Sequence, residues 1–336
     1  MKLFRRPRFW ICSASAVILF YAAAGYYGSS QAIGEHPQWR KFVAVPADFS
    51  LTDEVLSFDS LDGVPLKGWW LPAQGTARAD IVLAHGRDAN RSHMLPRAAF
   101  LVRNQYSVFD IDLRAHGESG GRYISPGYLE AFDVLAAIRH LRQRGERAPV
   151  GVLGHSYGAV AALRAAAESS DVSAVISDDG FVSAMDVLQN VTRHYRLDPK
   201  TPLWAKTLLV ISELPGLQSA MHVAFYLRTG QYFSAGMLTV LPALSRLHQP
   251  VLFISGEQDF IAPSDDARRM FAATPATQKS LLILTGAGHN DTHRAARAEY
   301  ERAVLNFLSQ AIGRGSAADS LARPRTMLCS LTPPSP

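Results

Sequence analysis

From Glu54 onward, short runs of β-branched and aliphatic residues alternate with longer amphipathic segments. Continuous apolar runs such as 81–84 and 251–254 are typical of strands that are buried on both faces. The predicted strands cover residues 55–59, 65–71, 81–85, 106–112, 150–156, 174–177, 251–255 and 281–285. The predicted helices cover residues 94–104, 128–144, 159–168, 265–273 and 292–312. This alternation predicts an α/β fold with a mostly parallel, eight-stranded sheet, helices on both faces and an antiparallel hairpin at Asp62-Gly63.

One segment interrupts the alternation. Between the sixth and seventh predicted strands lie about 70 residues with helix-like pieces that are rich in leucine and aromatic residues. Insertions of this length in a compact domain usually serve function, so residues 181–247 are predicted to be a helical lid within a domain of residues 50–312. The proline-containing tail, 313–336, is predicted to be disordered.

The N-terminus has the pattern of a targeting segment. Four cations in residues 1–8 precede Phe9–Gly28, which contains 20 residues without a formal charge. A helix of that length would be roughly 30 Å long, which matches the core of a bilayer. Residues 1–30 are therefore predicted to be an uncleaved signal anchor, with a cleaved signal peptide and a buried core helix as alternatives. Either targeting segment would make the protein membrane-anchored or secreted, with its catalytic domain on the non-cytoplasmic side.

Composition narrows the class of protein. The hydrophobic fraction of 48% and charged fraction of 19% are those of a globular chain, and two distant cysteines, Cys12 and Cys329, offer no disulfide framework. The net charge is +5, but residues 1–8 contribute +4 and residues 313–336 contribute +2, which leaves −1 for the rest. No basic face is implied, so a nucleic-acid partner is not expected.

The most specific motif is Gly154-His155-Ser156-Tyr157-Gly158, a G-x-S-x-G that directly follows one predicted strand and directly precedes a predicted helix. This context matters, because a nucleophilic serine needs a sharp strand-to-helix turn that exposes its hydroxyl. The flanking glycines let neighbouring backbone pass closely. Ser156 is therefore the predicted nucleophile, while His155 is expected to point away from the cleft.

A serine hydroxyl needs a base, and that base needs a carboxylate to orient it. His289 lies in a glycine-containing turn directly after the last predicted strand, and Asp259 occupies the matching place after the preceding strand. The carboxyl ends of parallel strands are where such sheets hold their ligands. The sequence therefore predicts His289 as the base and Asp259 as the orienting acid.

Rivals remain for these positions. Glu257 lies on the same turn as Asp259, and Asp178 and Asp179 follow the sixth predicted strand, so each of the three carboxylates is an alternative acid. His293 is expected to be a surface or capping residue of the last helix. Metal-binding signatures such as H-E-x-x-H or clustered cysteines do not occur, and neither nucleotide-binding glycine motif follows a strand, so no metal or cofactor is expected.

Two further motifs occur at strand ends: His85-Gly86-Arg87 after the third predicted strand and Asp112–Ser119 after the fourth. With these motifs and the three candidate residues, the chain resembles the α/β-hydrolase superfamily, and within it the lipase-like serine hydrolases. The order Ser156, Asp259, His289 is the order of that fold. The resemblance implies an α/β-hydrolase fold and an oxyanion hole formed by the backbone N–H groups of Arg87 and Tyr157. The Arg87 side chain could instead reach an anionic group of the substrate.

The resemblance implies a serine hydrolase that needs no cofactor. The apolar, aromatic insertion favours a small-molecule carboxylic ester with an apolar acyl or alkyl group as substrate. A peptidase or amidase would use the same residues, and a non-catalytic binding protein on this fold is a further alternative. The membrane, through the N-terminal helix, is the other expected partner, and the oligomeric state is left open.

Overall fold

A computed structural model describes residues 7–34, 37–229 and 235–318. The strands are β1 (Glu54–Asp59), β2 (Pro65–Leu71), β3 (Ala79–Ala84), β4 (Tyr106–Asp112), β5 (Val150–His155), β6 (Val172–Asp178), β7 (Val251–Gly256) and β8 (Lys279–Leu284). The helices are α1 (Pro7–Ile33), α2 (Leu95–Arg103), α3 (Glu130–Gln143), α4 (Tyr157–Glu168), α5 (Ala184–Leu197), α6 (Leu203–Ser212), α7 (Leu217–Thr229), α8 (Ala235–Leu238), α9 (Leu241–Leu244), α10 (Ser264–Ala273), α11 (Thr292–Ala295) and α12 (Arg297–Ala318).

All eight strands form one sheet in the order β1-β2-β4-β3-β5-β6-β7-β8. The hairpin β1-β2 and the pair β2-β4 are antiparallel, and the pairs from β4 to β8 are parallel. The predicted bounds of the strands differ from the observed ones by at most two residues. The predicted α/β class, strand number and mostly parallel sheet are therefore confirmed.

The sheet separates two hydrophobic clusters. One contains the apolar faces of α3, α4 and α10, and the other contains those of α2 and α12. Helices therefore cover both faces, as the continuous apolar strands predict. The central strands β3 to β7 are buried along almost their full length, so the loops at their carboxyl ends are attached to the most rigid part of the fold.

The described residues divide into two compact units. One contains residues 7–34 and 192–229, and the other contains residues 37–191 and 235–318, including the whole sheet. The predicted insertion 181–247 is helical and contains α5 to α9, but its middle part belongs to the unit formed with α1. The role of the insertion as a lid stays a prediction.

Within the smaller unit, α1 packs closely against α7. A Cβ atom on Gly25 would lie 2.7 Å from the carbonyl carbon of Ala220, so only glycine permits this approach. Arg228 of α7 donates hydrogen bonds to the hydroxyl groups of Ser29 and Ser30. The second half of α1 therefore makes polar contacts with a neighbouring helix.

These contacts bear on the N-terminal prediction. Across residues 7–34, 37–229 and 235–318, no helix has both the length and the apolar character that crossing a bilayer requires. The predicted membrane-spanning signal anchor is wrong for this part of the chain, as is the membrane localisation that rested on it. The physical reason lies in α1 itself, since the uncharged run contains Tyr26 and is followed by Ser29 and Ser30, all of which contact Arg228 of α7.

The C-terminal end also differs from the prediction. The expected single helix over 292–312 is divided at Ala296 into α11 and α12, because the backbone of Ala296 leaves the helical region at φ −130° and ψ 47°. Helix α12 continues to Ala318, so residues 313–318 of the predicted disordered tail are helical. The remainder of that tail, 319–336, lies outside the described residues.

Candidate active site

Ser156 occupies the turn between β5 and α4, where it adopts a left-handed backbone with φ 52° and ψ −114°. This conformation is unfavourable for a residue with a Cβ atom, and close packing of the turn maintains it. A Cβ atom on Gly158 would lie 2.1 Å from the carbonyl oxygen of Ala84, and one on Gly154 would lie 2.1 Å from that of Gly158. The two glycines therefore let the turn sit against β3.

The structure brings Ser156, His289 and Asp259 together. The Ser156 Oγ lies 2.9 Å from His289 Nε2, and His289 Nδ1 lies 2.7 Å from Asp259 Oδ2. The other Asp259 oxygen, Oδ1, accepts hydrogen bonds from the backbone N–H groups of Ile261 and Ala262. These contacts fit a neutral imidazole that donates from Nδ1 to Asp259 and accepts at Nε2 from the Ser156 hydroxyl.

Two of the rival acids have other partners. Glu257 accepts a hydrogen bond at Oε2 from the backbone N–H of Gly286, on the exposed side of the turn. Asp178 is fully buried and forms an ion pair with Arg97 of α2, whose Nη2 lies 2.6 Å from Asp178 Oδ2. The third rival, Asp179, lies closer to the three residues, since one of its oxygens is within 4.8 Å of ligand atoms of both Asp259 and His289.

Asp178 is the centre of a buried network beneath these residues. Its oxygens accept hydrogen bonds from the hydroxyl groups of Thr292, at 2.8 Å, and Tyr300, at 2.9 Å, in addition to Arg97. Burial acts to raise the pKa of Asp178, but the charge of Arg97, together with His155 and the Thr292 hydroxyl, holds this pKa below its ordinary value. The network joins α2, β6, α11 and α12, and so fixes the segment that follows His289.

Sequence reasoning missed this network. The sequence indicates Asp178 only as an alternative acid, and it assigns no role to Arg97. A signal was present, because Arg97 lies within the otherwise apolar run of α2, where Ala98 to Val102 are all buried. A cation in such a run requires a buried counter-charge, although the sequence does not indicate which of the acids supplies it.

Two histidines differ from their predicted settings. His155 does not point away from the site, since its ring lies 5.7 Å from that of His289 and its Nε2 lies 2.9 Å from Asn290 Oδ1. His293 was expected at the surface but is buried, where it stacks on Phe100. Burial lowers the pKa of His293 below its ordinary value. Tertiary packing of the last two helices, rather than local sequence, produces this burial.

The loop after β3 lies against the Ser156 turn. A Cβ atom on Gly86 would lie 3.1 Å from that of Ser156. His85 is fully buried, accepts a hydrogen bond at Nε2 from the Leu113 N–H and places Nδ1 2.7 Å from the Gly86 carbonyl oxygen. Burial lowers the pKa of His85 well below its ordinary value, which matches a neutral ring that accepts at one nitrogen and donates at the other. This histidine therefore anchors the backbone that leads into Arg87.

Arg87 follows Gly86 on the loop after β3, and Tyr157 directly follows Ser156; the role of their backbone N–H groups in an oxyanion hole stays a prediction. Tyr157 is the first residue of α4, and the first N–H groups of a helix have no partner within the helix. The Arg87 side chain is 30% exposed and lies over the Trp39 ring, with its guanidinium carbon 5.7 Å from the ring centroid. The Tyr157 ring packs against Phe181 at 5.3 Å, and burial raises the pKa of its hydroxyl.

In the part of the chain that the structure describes, two groups of side chains offer atoms that a cation could contact. One consists of His155, Asp178 and Asp179, and the other of Asp179, Asp259 and His289. In the second group both nitrogens of His289 already contact Ser156 and Asp259, so a cation would displace these contacts. In the first, Arg97 already supplies the positive charge opposite Asp178. The donor sets therefore suit hydrogen bonding and proton transfer better than metal coordination.

A mostly parallel sheet with a hydrogen-bonded serine, histidine and aspartate at its strand ends defines the class of protein, and comparison with known proteins agrees with it. A model of the alpha/beta hydrolase family matches residues 81–303. The chain belongs to the alpha/beta hydrolase family. The resemblance inferred from the motifs is therefore confirmed at the level of the superfamily.

Individual relatives are more distant. The chain is 26% identical over 248 residues to the uncharacterized protein YqkD of Bacillus subtilis, which covers 73% of this chain and 76% of YqkD. It is 25% identical over 282 residues to the alpha/beta hydrolase domain-containing protein WAV2 of Arabidopsis thaliana, and the match covers 81% of this chain and 83% of WAV2. Among solved structures, the Pyrococcus furiosus esterase Pf2001 superposes with a TM-score of 0.68 at 22% identity and covers 84% of this chain and 99% of the esterase. These likenesses to structures support the fold.

Proposed function

We propose that this protein is a serine hydrolase that cleaves carboxylic esters through a covalent acyl-enzyme. The observation that carries the proposal is the chain of contacts from Ser156 Oγ to His289 Nε2 at 2.9 Å and from His289 Nδ1 to Asp259 Oδ2 at 2.7 Å. A nucleophile, a base and an orienting carboxylate in this order are what acyl transfer to serine requires.

In the proposed reaction, His289 Nε2 takes the proton of the Ser156 hydroxyl while Oγ attacks the ester carbonyl carbon. Collapse of the tetrahedral intermediate expels the alcohol, which receives that proton from His289, and leaves Ser156 acylated. A water molecule then repeats both steps, with the acid as product and free Ser156 restored. Asp259 orients the ring through Nδ1 and balances the imidazolium charge.

The backbone N–H groups of Arg87 and Tyr157 are the proposed donors to the oxyanion. Each donor of this kind contributes about 3 to 4 kcal/mol to transition-state stabilisation where one has been removed. The Gly86 approach to Ser156 supports the placement of the first donor, and the start of α4 at Tyr157 supports the second. His85 holds the first loop through its contacts with Gly86 and Leu113.

For the substrate we propose an ester with an apolar acyl or alkyl group. Within the larger unit, the ring of Tyr157, the residue next to Ser156, packs against the ring of Phe181 at 5.3 Å and offers apolar surface beside the nucleophile. The superposed Pf2001 protein is an esterase, and the protein Est1E of Butyrivibrio proteoclasticus, which superposes with a TM-score of 0.56, was solved with ferulic acid bound. Apolar surface of this kind favours an ester with a hydrocarbon chain over a charged peptide.

The test is hydrolysis of p-nitrophenyl esters, from acetyl to long acyl chains, by the full chain and by Ser156→Ala. We expect the substitution to abolish turnover and covalent labelling by a fluorophosphonate probe. Ser245→Ala, which removes an exposed hydroxyl elsewhere in the same unit, is the matched control and should retain both. A wild-type protein that hydrolyses no ester and takes no label would refute the proposal, whereas faster cleavage of aminoacyl amides than of esters would reassign the substrate class.

A further inference from the structure

Asp179 combines complete burial with an incomplete set of hydrogen bonds. It follows β6, adopts a left-handed backbone with φ 51° and has no exposed surface. Its Oδ1 accepts a hydrogen bond from the backbone N–H of Gly256 at 3.0 Å. Its Oδ2 is buried and has no hydrogen-bond partner among the described residues. A buried polar atom without a hydrogen bond destabilises the folded state, so its presence calls for an explanation.

The position of Asp179 explains why its second oxygen is buried without a hydrogen bond. A carboxylate oxygen of Asp179 lies within 4.8 Å of an oxygen of Asp259 and of a ring nitrogen of His289. The adjacent Asp178 is already balanced by Arg97, whereas Asp179 forms no ion pair among the described residues. Two carboxyl groups therefore lie beside one imidazole, and one of them already holds it through Nδ1.

The protonation of Asp179 depends on its neighbours. Burial raises the pKa of Asp179 well above its ordinary value, and the charges of Asp178 and Asp259 raise it further, whereas the Gly256 N–H and Arg97 act in the opposite direction. Among the described residues, His155, the last residue of β5, is a further titratable group with a ring nitrogen within 4.8 Å of an Asp179 oxygen. Burial and the neighbouring negative charges therefore favour the protonated form of Asp179.

We propose that Asp179 is a reserve carboxyl for the triad of Ser156, His289 and Asp259. When Asp259 is neutral, Asp179 can ionise and supply the negative charge that faces His289. The inference rests on the proposed function. Removal of the Asp259 charge removes one of the two nearby negative charges that oppose ionisation of Asp179. Asp179 then releases its proton to solvent and stabilises the imidazolium that forms when His289 takes the Ser156 proton. No bond to Asp179 forms or breaks in the reaction, so it acts through His289 as a positioning residue.

The experiment measures kcat and KM for p-nitrophenyl butyrate with the full chain and three variants: Asp259→Asn, Asp179→Asn and the double variant. Loss of the orienting carboxylate alone lowers kcat roughly 10⁴-fold in a serine protease triad. If Asp179 acts as a reserve carboxyl, we expect Asp259→Asn to lower kcat by roughly 10²-fold or less, compared with the roughly 10⁴-fold loss in the protease triad. Asp179→Asn should then lower kcat at least tenfold further in the Asp259→Asn background, and less than that in the wild type.

Asparagine is the appropriate substitution, because it retains the Oδ1 acceptor for Gly256 and tolerates a left-handed backbone. Glu257→Gln in the Asp259→Asn background is the matched control, since Glu257 lies on the same turn but bonds to Gly286. It should change kcat little. Equal kcat values for Asp259→Asn and the double variant would overturn the inference.

The pH profile gives a readout that a purely structural role would not move. In Asp259→Asn, activity requires ionised Asp179 and neutral His289, so the profile should shift to higher pH relative to the wild type. An unshifted profile would overturn the inference even if the double variant does not fold. The two proposals fail separately: wild-type protein without ester turnover or fluorophosphonate labelling refutes the hydrolase, whereas an active wild type with an unshifted variant refutes only the reserve carboxyl.

Discussion

Replacement of Arg97 by methionine removes the cation that balances the buried carboxylate of Asp178. In the native protein, Arg97 Nε and Nη2 donate to Asp178 Oδ2 at 3.0 and 2.6 Å. Both side chains are almost inaccessible to solvent. Methionine retains most of the apolar stem, so the substitution removes mainly the charge and its hydrogen bonds.

The size of the effect follows from what remains around Asp178. Loss of one partner of a buried ion pair destabilises a protein by about 3 to 5 kcal/mol, because an uncompensated charge is left in the interior. Here the hydroxyl groups of Thr292 and Tyr300 still donate to Asp178. We therefore expect the lower end of that range, about 3 kcal/mol of unfolding free energy at neutral pH.

The pH dependence makes the prediction specific. In the wild type the pKa of Asp178 is held below its ordinary value, so its ion pair adds stability above about pH 4, and this stability is lost as the pH falls through the lowered pKa. Without Arg97, burial raises the pKa of Asp178, and a proton can replace the missing cation in mild acid. The loss of stability should therefore be largest near neutral pH and should shrink as the pH falls toward about 5.

Urea denaturation of the full chain and of Arg97→Met, followed by circular dichroism across this pH range, measures the effect. Arg144→Met is the control, since it breaks an exposed ion pair with Glu54 and should destabilise far less. Equal losses for the two variants, or a loss for Arg97→Met that does not change with pH, would refute the reasoning about buried charge.

Three further predictions use other parts of the fold. Gly158→Ala should sharply lower the melting temperature, because the new Cβ would lie 2.1 Å from the Ala84 carbonyl oxygen, whereas Gly288→Ala, with nothing closer than 3.8 Å, should not. Burial raises the pKa of Asp80 to about 6, so the ionised carboxylate destabilises the folded state above that pH and has no such effect below about pH 4. Asp80→Asn should therefore raise the free energy of unfolding near pH 8 by roughly 2 kcal/mol, with a higher melting temperature, and should leave both unchanged near pH 4. His85→Ala should lower kcat for p-nitrophenyl esters more than it changes KM, since the loop it anchors leads to the proposed oxyanion donor; an effect confined to KM would contradict that role.

The strands and the turn at Ser156 could be predicted because their determinants are local. A strand buried on both faces, such as β3 or β7, must be apolar at every position, and this leaves a continuous signal in the sequence. The turn at Ser156 likewise requires small residues at fixed offsets, because backbone passes within contact distance on both sides. Such constraints act on neighbouring residues and can therefore be read without the fold.

The buried charges and the smaller unit could not be predicted, because their determinants are distant in sequence. Arg97 and Asp178 are 81 residues apart, and Asp178 is joined to Tyr300 across a further 122. The uncharged run of α1 predicts burial of some kind, but a bilayer, a domain core and another helix satisfy it equally well. The approach of Gly25 to Ala220 and the hydrogen bonds from Arg228 to Ser29 and Ser30 identify the third case.

The pairing of α1 with α7 has a consequence for recombination. About 180 residues separate these helices in the chain, yet they pack against each other in one unit. A chimera that exchanges residues 192–229 with those of a relative, but retains its own N-terminal helix, would bring together two helix surfaces that were never selected to fit. The two segments should therefore be exchanged together, as a single module encoded in two pieces.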